Sequence, residues 1–131
     1  MARISALMLA AAVLFGAVRV MAADGDVRTC ALTKGIECVP DEGCVEWTME
    51  EMSLPRFVRI DLASKTITSL DKEVARTSKI ASVERLNGLI VMHGTEQRGW
   101  SLALAEDSGD LTLSASGDTE GFIVFGSCIM P

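Results

Sequence analysis

The sequence predicts an all-β domain, a small antiparallel meander of about seven or eight strands that forms an up-and-down barrel or a sandwich. Three observations predict this class. Short segments alternate apolar and polar residues with the period of two that strands require. Turn-forming residues, many of them glycine, recur about every 8–12 residues, as in meanders and barrels. Helical periodicity is weak after the first 22 residues.

The predicted strands follow one another along the chain, separated by short turns. The stretch VEWTMEEMS is long enough for one helical turn only, because Pro55 restricts the residue before it and ends the turn. In chain order, the strand segments are VRTCALT, RFVRIDL, TITSL, KIASVERL, LIVMH, WSLALAE, LTLSAS and GFIVFGSC.

Two of these segments show the pattern most clearly. RFVRIDL places Val58 and Ile60 on one face and Arg59 on the other, which predicts a half-buried strand. GFIVFGSC is apolar on both faces and predicts a central or well-covered strand. Between KIASVERL and LIVMH stands Asn87-Gly88, the pair that a two-residue type I′ hairpin turn favours because both positions need a positive φ.

The first 22 residues have the composition of a secretory signal peptide. Arg3 precedes an apolar run over 4–18, and small residues follow at Val20-Met21-Ala22. The run is shorter than the roughly 20 residues of a membrane-spanning helix. We therefore predict a signal peptide over 1–22 and a single β-domain over 23–131. The mature protein is expected to be soluble, periplasmic or secreted, with no stable membrane anchor after cleavage.

Four cysteines in an exported chain predict two disulfides. The spacings of Cys30, Cys38, Cys44 and Cys128 do not fit a zinc site, and the chain has a single histidine, so no metal is expected. We predict that Cys30 pairs with Cys128, which would close the seam between the first and last strands of a barrel, and that Cys38 pairs with Cys44, which would hold a short acidic loop. The other two pairings remain possible, since spacing alone does not fix connectivity.

Charge and motifs limit the function. Without residues 1–22, ten basic and eighteen acidic side chains remain, a net charge of −8. This charge disfavours nucleic acid as a partner and suits a basic protein. No phosphate-binding or dinucleotide-binding glycine pattern occurs, so no cofactor is expected. The single histidine, His93, lies where a structural role is the simpler interpretation, and we expect no enzymatic activity.

The C-terminal stretch GWSLALAEDSGDLTLSASGDTEGFIVFGSC resembles the ending of small exported, disulfide-bonded β-proteins of Gram-negative bacteria. The shared features are Trp100-Ser101, the glycine turn and the terminal FGSC, and they imply no activity. The layout is also similar to that of the small periplasmic lysozyme inhibitors, which combine a signal peptide, an eight-stranded barrel and an end-to-end disulfide.

These observations lead to one functional hypothesis with alternatives. The protein is expected to be a non-catalytic binding module whose Cys38–Cys44 loop contacts a basic partner through Glu37, Asp41 and Glu42. Trp47 follows this loop and is either an apolar anchor for the partner or part of the core. The alternatives are a periplasmic inhibitor of a basic enzyme such as lysozyme and a carrier of a small apolar ligand.

Overall fold

The computed structural model describes residues 26–129, and the predicted signal peptide with its cleavage site lies outside this range. The described chain is all-β, as predicted, and its antiparallel sheet curls into a half-barrel. Residues 26–129 form ten strands rather than seven or eight. They are β1 (Val27–Val39), β2 (Gly43–Trp47), β3 (Phe57–Asp61), β4 (Thr66–Ser69), β5 (Thr77–Lys79), β6 (Ser82–Leu86), β7 (Leu89–Gly94), β8 (Trp100–Ala105), β9 (Asp110–Ser116) and β10 (Gly121–Ile129).

The two additional strands have a simple origin. β2 lies in a stretch where the sequence pattern predicts only a loop and a single helical turn. The segment KIASVERL is not one strand, because the chain bends at Ile80-Ala81 and separates β5 from β6. The predicted helical turn does follow β2, where the Met52 N–H donates to the Thr48 carbonyl at 3.1 Å.

The terminal strands lie in the middle of the sheet. The strand order is β5-β4-β3-β1-β10-β9-β8-β7-β6, and β2 pairs with β1 outside this path. β1 pairs with β10 along one edge, while its other edge pairs first with β3 and then with β2. The predicted neighbourhood of the first and last strands is confirmed, but the expectation that they form the closing seam is wrong. β1 is long enough to hold two partners on one edge, so the sheet margins are β5 and β6.

The two margins meet at one end of the half-barrel only. β5 and β6 lie at opposite ends of the strand order, yet only Ile80 and Ala81 separate them. The Ile80 N–H donates to the Lys65 carbonyl at 2.9 Å, and the Ala81 N–H donates to the His93 carbonyl at 2.7 Å. These two bonds tie both margins to the same bend. The interior is therefore closed at this bend and open on the side of the loop between β7 and β8.

The predicted alternation is confirmed where it was clearest. Val58 and Ile60 are buried, and Arg59 between them is exposed. Asn87 and Gly88 have φ values of 50° and 80°, which fits the predicted hairpin turn. The inward side chains form one core whose largest fully buried members are Ile60, Ile90, Met92, Leu102, Leu104, Leu111 and Val124.

β10 is central, as predicted, but it is not covered on both faces. Ile123 and Phe125 point to the convex face, and each is 38% exposed. Phe57 lies on the same face and is 49% exposed. The central position of β10 thus comes from its pairing with β1 and β9, while its convex face stays open to solvent.

Both predicted disulfides are present. Cys30 and Cys128 stand directly opposite each other in the β1–β10 ladder and are buried in the core. Cys38 and Cys44 stand opposite each other near the turn of the β1–β2 hairpin. Two disulfides indicate an oxidising, extracytoplasmic environment.

The two disulfides are expected to differ in their contribution to stability. The Cys30–Cys128 bridge closes a loop over a sequence separation of 98, against 6 for Cys38–Cys44. Replacing both members of the long-range pair with Ala should lower the free energy of unfolding by about 4–5 kcal/mol, and replacing the short-range pair by about 2 kcal/mol, because a longer loop restricts the unfolded chain more. Equilibrium urea unfolding of the two double variants measures this difference, and equal losses would contradict the argument.

Candidate functional site

The open end of the half-barrel contains a cavity of about 600 Å³. This volume lies within the range of ligand-binding pockets in proteins, roughly 300–1,000 Å³. Its floor is apolar and includes Leu32, Val58, Ile67, Leu113 and Val124. Its walls come from β5, the turn that follows β2 and the loop between β7 and β8.

Two rows of inward-facing residues cross the sheet beneath the cavity. Strand register places the members of each row side by side on β8, β9, β10, β1 and β2. The inner row, nearer the core, consists of Leu102, Leu113, Val124, Gly35 and Trp47. The outer row, nearer the opening, consists of Trp100, Ala115, Phe122, Glu37 and Val45.

A β-bulge in β1 determines which side chains face the cavity. The register of β1 against β10 shifts between Leu32 and Lys34. Before the bulge the inward residues have even numbers, such as Cys30 and Leu32, and after it they have odd numbers, such as Gly35 and Glu37. The extra residue reverses the alternation, since two residues on the bulged strand oppose one on its partner. Without the bulge, Glu37 would point to the convex face.

The aromatic walls come from both halves of the chain. Trp47 on β2, Trp100 on β8 and Phe122 on β10 all line the cavity. The Trp100 ring lies against Gly94 of the neighbouring strand, where a Cβ atom would overlap it. Trp47 is half-buried and is not among the residues of the core cluster, and its indole N–H is buried without a hydrogen-bond partner.

One wall is the turn that follows β2. The Glu51 carboxylate accepts hydrogen bonds from the Thr48 backbone N–H at 2.7 Å and from its hydroxyl at 2.9 Å. The Thr48 hydroxyl oxygen in turn accepts from the Glu51 N–H at 3.2 Å, the reciprocal arrangement of a capping box. The backbone N–H of Thr48, followed by its hydroxyl, holds the pKa of Glu51 below its ordinary value of 4.5. This turn places Met52 against Gly35, where the absence of a Cβ leaves room for its sulfur.

The opposite wall is the loop between β7 and β8. The Glu96 carboxylate accepts a hydrogen bond from the Lys79 N–H of β5 at 3.2 Å, which ties the loop to the sheet margin. The Arg98 guanidinium lies 4.6 Å from the centre of the Phe122 ring and donates to Glu120 at 3.3 Å. The Thr119 hydroxyl and then Arg98 hold the pKa of Glu120 below its ordinary value. The loop is therefore anchored on both sides of the opening.

Among the acidic side chains that line the cavity, Glu37 differs from the others. Glu51 and Glu96 accept hydrogen bonds from neighbouring groups. Glu37 is half-buried, and no hydrogen bond or ion pair with another residue of 26–129 involves its carboxylate. The cavity thus combines an apolar floor, aromatic walls and one carboxylate without a partner, an arrangement suited to binding.

The structure separates the predicted contact residues into two groups. Glu37 and Trp47 line the cavity. Asp41 and Glu42 lie exposed in the turn of the β1–β2 hairpin, away from the cavity lining, with Asp41 at a φ of 67°. Whether any of the four contacts a partner stays a prediction. Sequence reasoning missed Trp100, Phe122 and Arg98 as cavity residues, although Trp100 stands at an inward position where its strand begins.

Other chemical groups lie apart from the cavity. His93 on β7 is exposed and is not part of the cavity lining. Within 26–129, no group of three or more His, Cys, Asp or Glu side chains is placed to hold a metal ion. The same range contains no helix that is long and apolar enough to cross a membrane.

No family model, curated protein or solved structure matches this chain.

The hydrogen bonds of the Thr48–Glu51 turn predict how Glu51 titrates. Its carboxyl group should titrate below 4.5, and Thr48→Val should restore only part of the shift, because the backbone N–H is the larger cause and remains. The interaction stabilises the fold above the unfolded-state pKa and is lost as the pH falls through the lowered folded-state value. Carboxyl ¹³C NMR over a pH series measures the titration midpoint of Glu51 in the unaltered protein and in the Thr48→Val protein. A complete return to 4.5 in the Thr48→Val protein would show that the hydroxyl alone acts.

Proposed function

We propose that this protein is a non-catalytic binding module of the periplasm or the extracellular space, and that it binds a basic protein through the β1–β2 hairpin and the mouth of the cavity. One observation carries the proposal. The hairpin, cross-linked by Cys38–Cys44, has exposed acidic residues at its turn, Asp41 and Glu42, while the strands behind the turn bring Glu37 and Trp47 to the cavity. A charged tip and an apolar recess on one rigid element are the features of a protein-binding surface.

The net charge supports a basic partner. Acidic residues outnumber basic ones by 18 to 12 in the full chain. A field of this sign raises the rate at which a cationic protein encounters the surface. A basic enzyme such as lysozyme is one partner of this kind, and its inhibition is the more specific form of the proposal.

Two features support a non-catalytic role. All four cysteines are in disulfides, so none is available as a nucleophile. His93, the single histidine of the chain, lies outside the cavity lining, so the cavity has no histidine to act as a general base.

A second candidate function is the transport or storage of a small apolar ligand. The volume of the cavity, about 600 Å³, and its apolar floor favour it. Native mass spectrometry of the protein purified from the periplasm distinguishes the candidates. A small molecule that stays bound at unit stoichiometry supports the carrier, whereas a saturable complex with a cationic protein such as lysozyme supports the main proposal.

The hairpin charges should control association with the partner. Changing Asp41 to Asn together with Glu42 to Gln should slow association at low salt, because charges attract over about 10 Å at 0.1 M ionic strength. Surface plasmon resonance against immobilised lysozyme, over a series of salt concentrations, gives the rates. The charge-matched control is Glu73→Gln with Glu84→Gln, two exposed acids outside the cavity lining. Equal slowing by both pairs would assign the effect to net charge rather than to the hairpin.

Trp47 should act as the apolar anchor. Trp47→Ala should weaken binding of the partner. Because Trp47 is half-buried and lies outside the core cluster, the loss of stability should be smaller than the about 3–5 kcal/mol that truncating a fully buried aromatic residue costs. Phe57→Ala, at an exposed aromatic of the convex face, is the control and should leave affinity unchanged. Calorimetric titration with lysozyme and urea unfolding measure the two effects. Full affinity in an unstable Trp47→Ala protein would assign Trp47 to the core.

A further inference from the structure

The environment of Glu37 points to the chemical group that the cavity accepts. Its nearest neighbours across the sheet are Phe122 on β10 and Val45 on β2, and Trp47 lies diagonally from it on the same face. Trp100 belongs to the same row, beyond Ala115. The carboxylate therefore stands among apolar and aromatic side chains at the open end of the half-barrel.

A half-buried carboxylate without a partner is a favourable contact for a cation. Removing a charge from water costs free energy unless an opposite charge or hydrogen-bond donors compensate. Glu51 and Glu96, the other acids of the lining, receive such compensation from Thr48 and Lys79. No group of residues 26–129 compensates Glu37, so its carboxylate is free to accept a hydrogen bond from a cation that enters the cavity.

The aromatic walls favour the same sign of charge. The faces of Trp and Phe rings attract cations, and Trp does so most strongly. The structure already contains one such contact, because the Arg98 guanidinium lies over the Phe122 ring. Trp47 and Trp100 line the cavity, and no cation of the described residues lies over either ring.

The arginines of the lining do not make the cavity an anion site. Arg98 is neutralised by Glu120, to which it donates a hydrogen bond at 3.3 Å. Arg76 is exposed and lies beside β5, across the opening from the hairpin. Counting all ionised residues of the lining, three acids (Glu37, Glu51 and Glu96) face two bases (Arg76 and Arg98).

We propose that Glu37 and Trp47 form a subsite for the primary ammonium group of a lysine side chain presented by the basic partner. The lysine methylene chain would pack against the Trp47 indole ring, and its ammonium group would donate to the Glu37 carboxylate. This proposal rests on the proposed function, because it specifies what the basic partner inserts.

Two small probes that differ only in the ammonium group test the subsite without any protein partner. N-acetyl-lysine N-methylamide carries the group, and N-acetyl-norleucine N-methylamide has the same chain length without it. We expect the lysine probe to shift the ¹⁵N–¹H signal of the Trp47 indole saturably, and the norleucine probe to bind about tenfold more weakly, as the loss of one charge-assisted hydrogen bond predicts. Equal binding of the two probes, or binding of neither, would overturn the proposal.

Substitution of Glu37 tests its role directly. Glu37→Gln keeps the shape and removes the charge, and it should weaken the lysine probe about tenfold while leaving the norleucine probe unchanged. Glu84→Gln on β6 removes an equal charge away from the cavity and should change neither. Since no residue of 26–129 bonds to the Glu37 carboxylate, we expect the variant to fold, and its amide spectrum checks this. Should it not fold, the comparison of the two probes on the unaltered protein still decides.

Affinity for lysozyme separates this proposal from the proposed function. If Glu37→Gln binds lysozyme like the unaltered protein while Asp41→Asn with Glu42→Gln binds more slowly, the hairpin recognises the partner and the ammonium subsite is wrong. If the lysine probe binds and no cationic protein does, the proposed function is wrong and the cavity is a site for a free alkylammonium compound.

Discussion

The pairing of β1 with β10, cross-linked by Cys30–Cys128, is the constraint on which the rest of the structure depends. β10 occupies one edge of β1 completely, so β2 and β3 must share the other edge. The strands that follow add outward from β3 and from β10, and the two halves meet again at Ile80-Ala81 and at the neighbouring Lys79–Glu96 hydrogen bond. The cavity, its aromatic walls and the position of the acidic hairpin all result from this single central ladder.

The parts of the fold that the sequence predicts are those with local causes. The alternation around Val58, the Asn87-Gly88 turn and the pairing of cysteines in an exported chain each depend on a few neighbouring residues or on the compartment. The strands β2 and β5 escape prediction because they are short, and GCVEW and TSK carry no clear apolar alternation. The order of the strands is not predicted either, since no local sequence feature requires the first strand to pair with three others.

Less of the candidate site is predictable, because its residues come together through contacts between segments that are distant in sequence. Glu37 and Trp47 attract notice because they flank a short disulfide loop, but their common position on the cavity depends on the bulge between Leu32 and Lys34. The bulge reverses the alternation of β1, and the glycine that accommodates it, Gly126, lies on the opposite strand rather than in β1. Trp100 and Phe122 join them only through ladders between strands that are distant in sequence. Asp41 and Glu42, grouped with Glu37 by sequence, are separated from it in space.

The central position of the terminal strands also determines when the protein can fold. The disulfide partner of Cys30 lies 98 residues later, and the edge of β1 that pairs with β10 has no ladder until the last strand has been synthesised. Chains dominated by such distant contacts fold slowly, since the cost of closing a large loop precedes the gain from pairing. Until β10 is available, one backbone edge of β1 therefore stays unpaired, and such an edge is the kind on which aggregation begins.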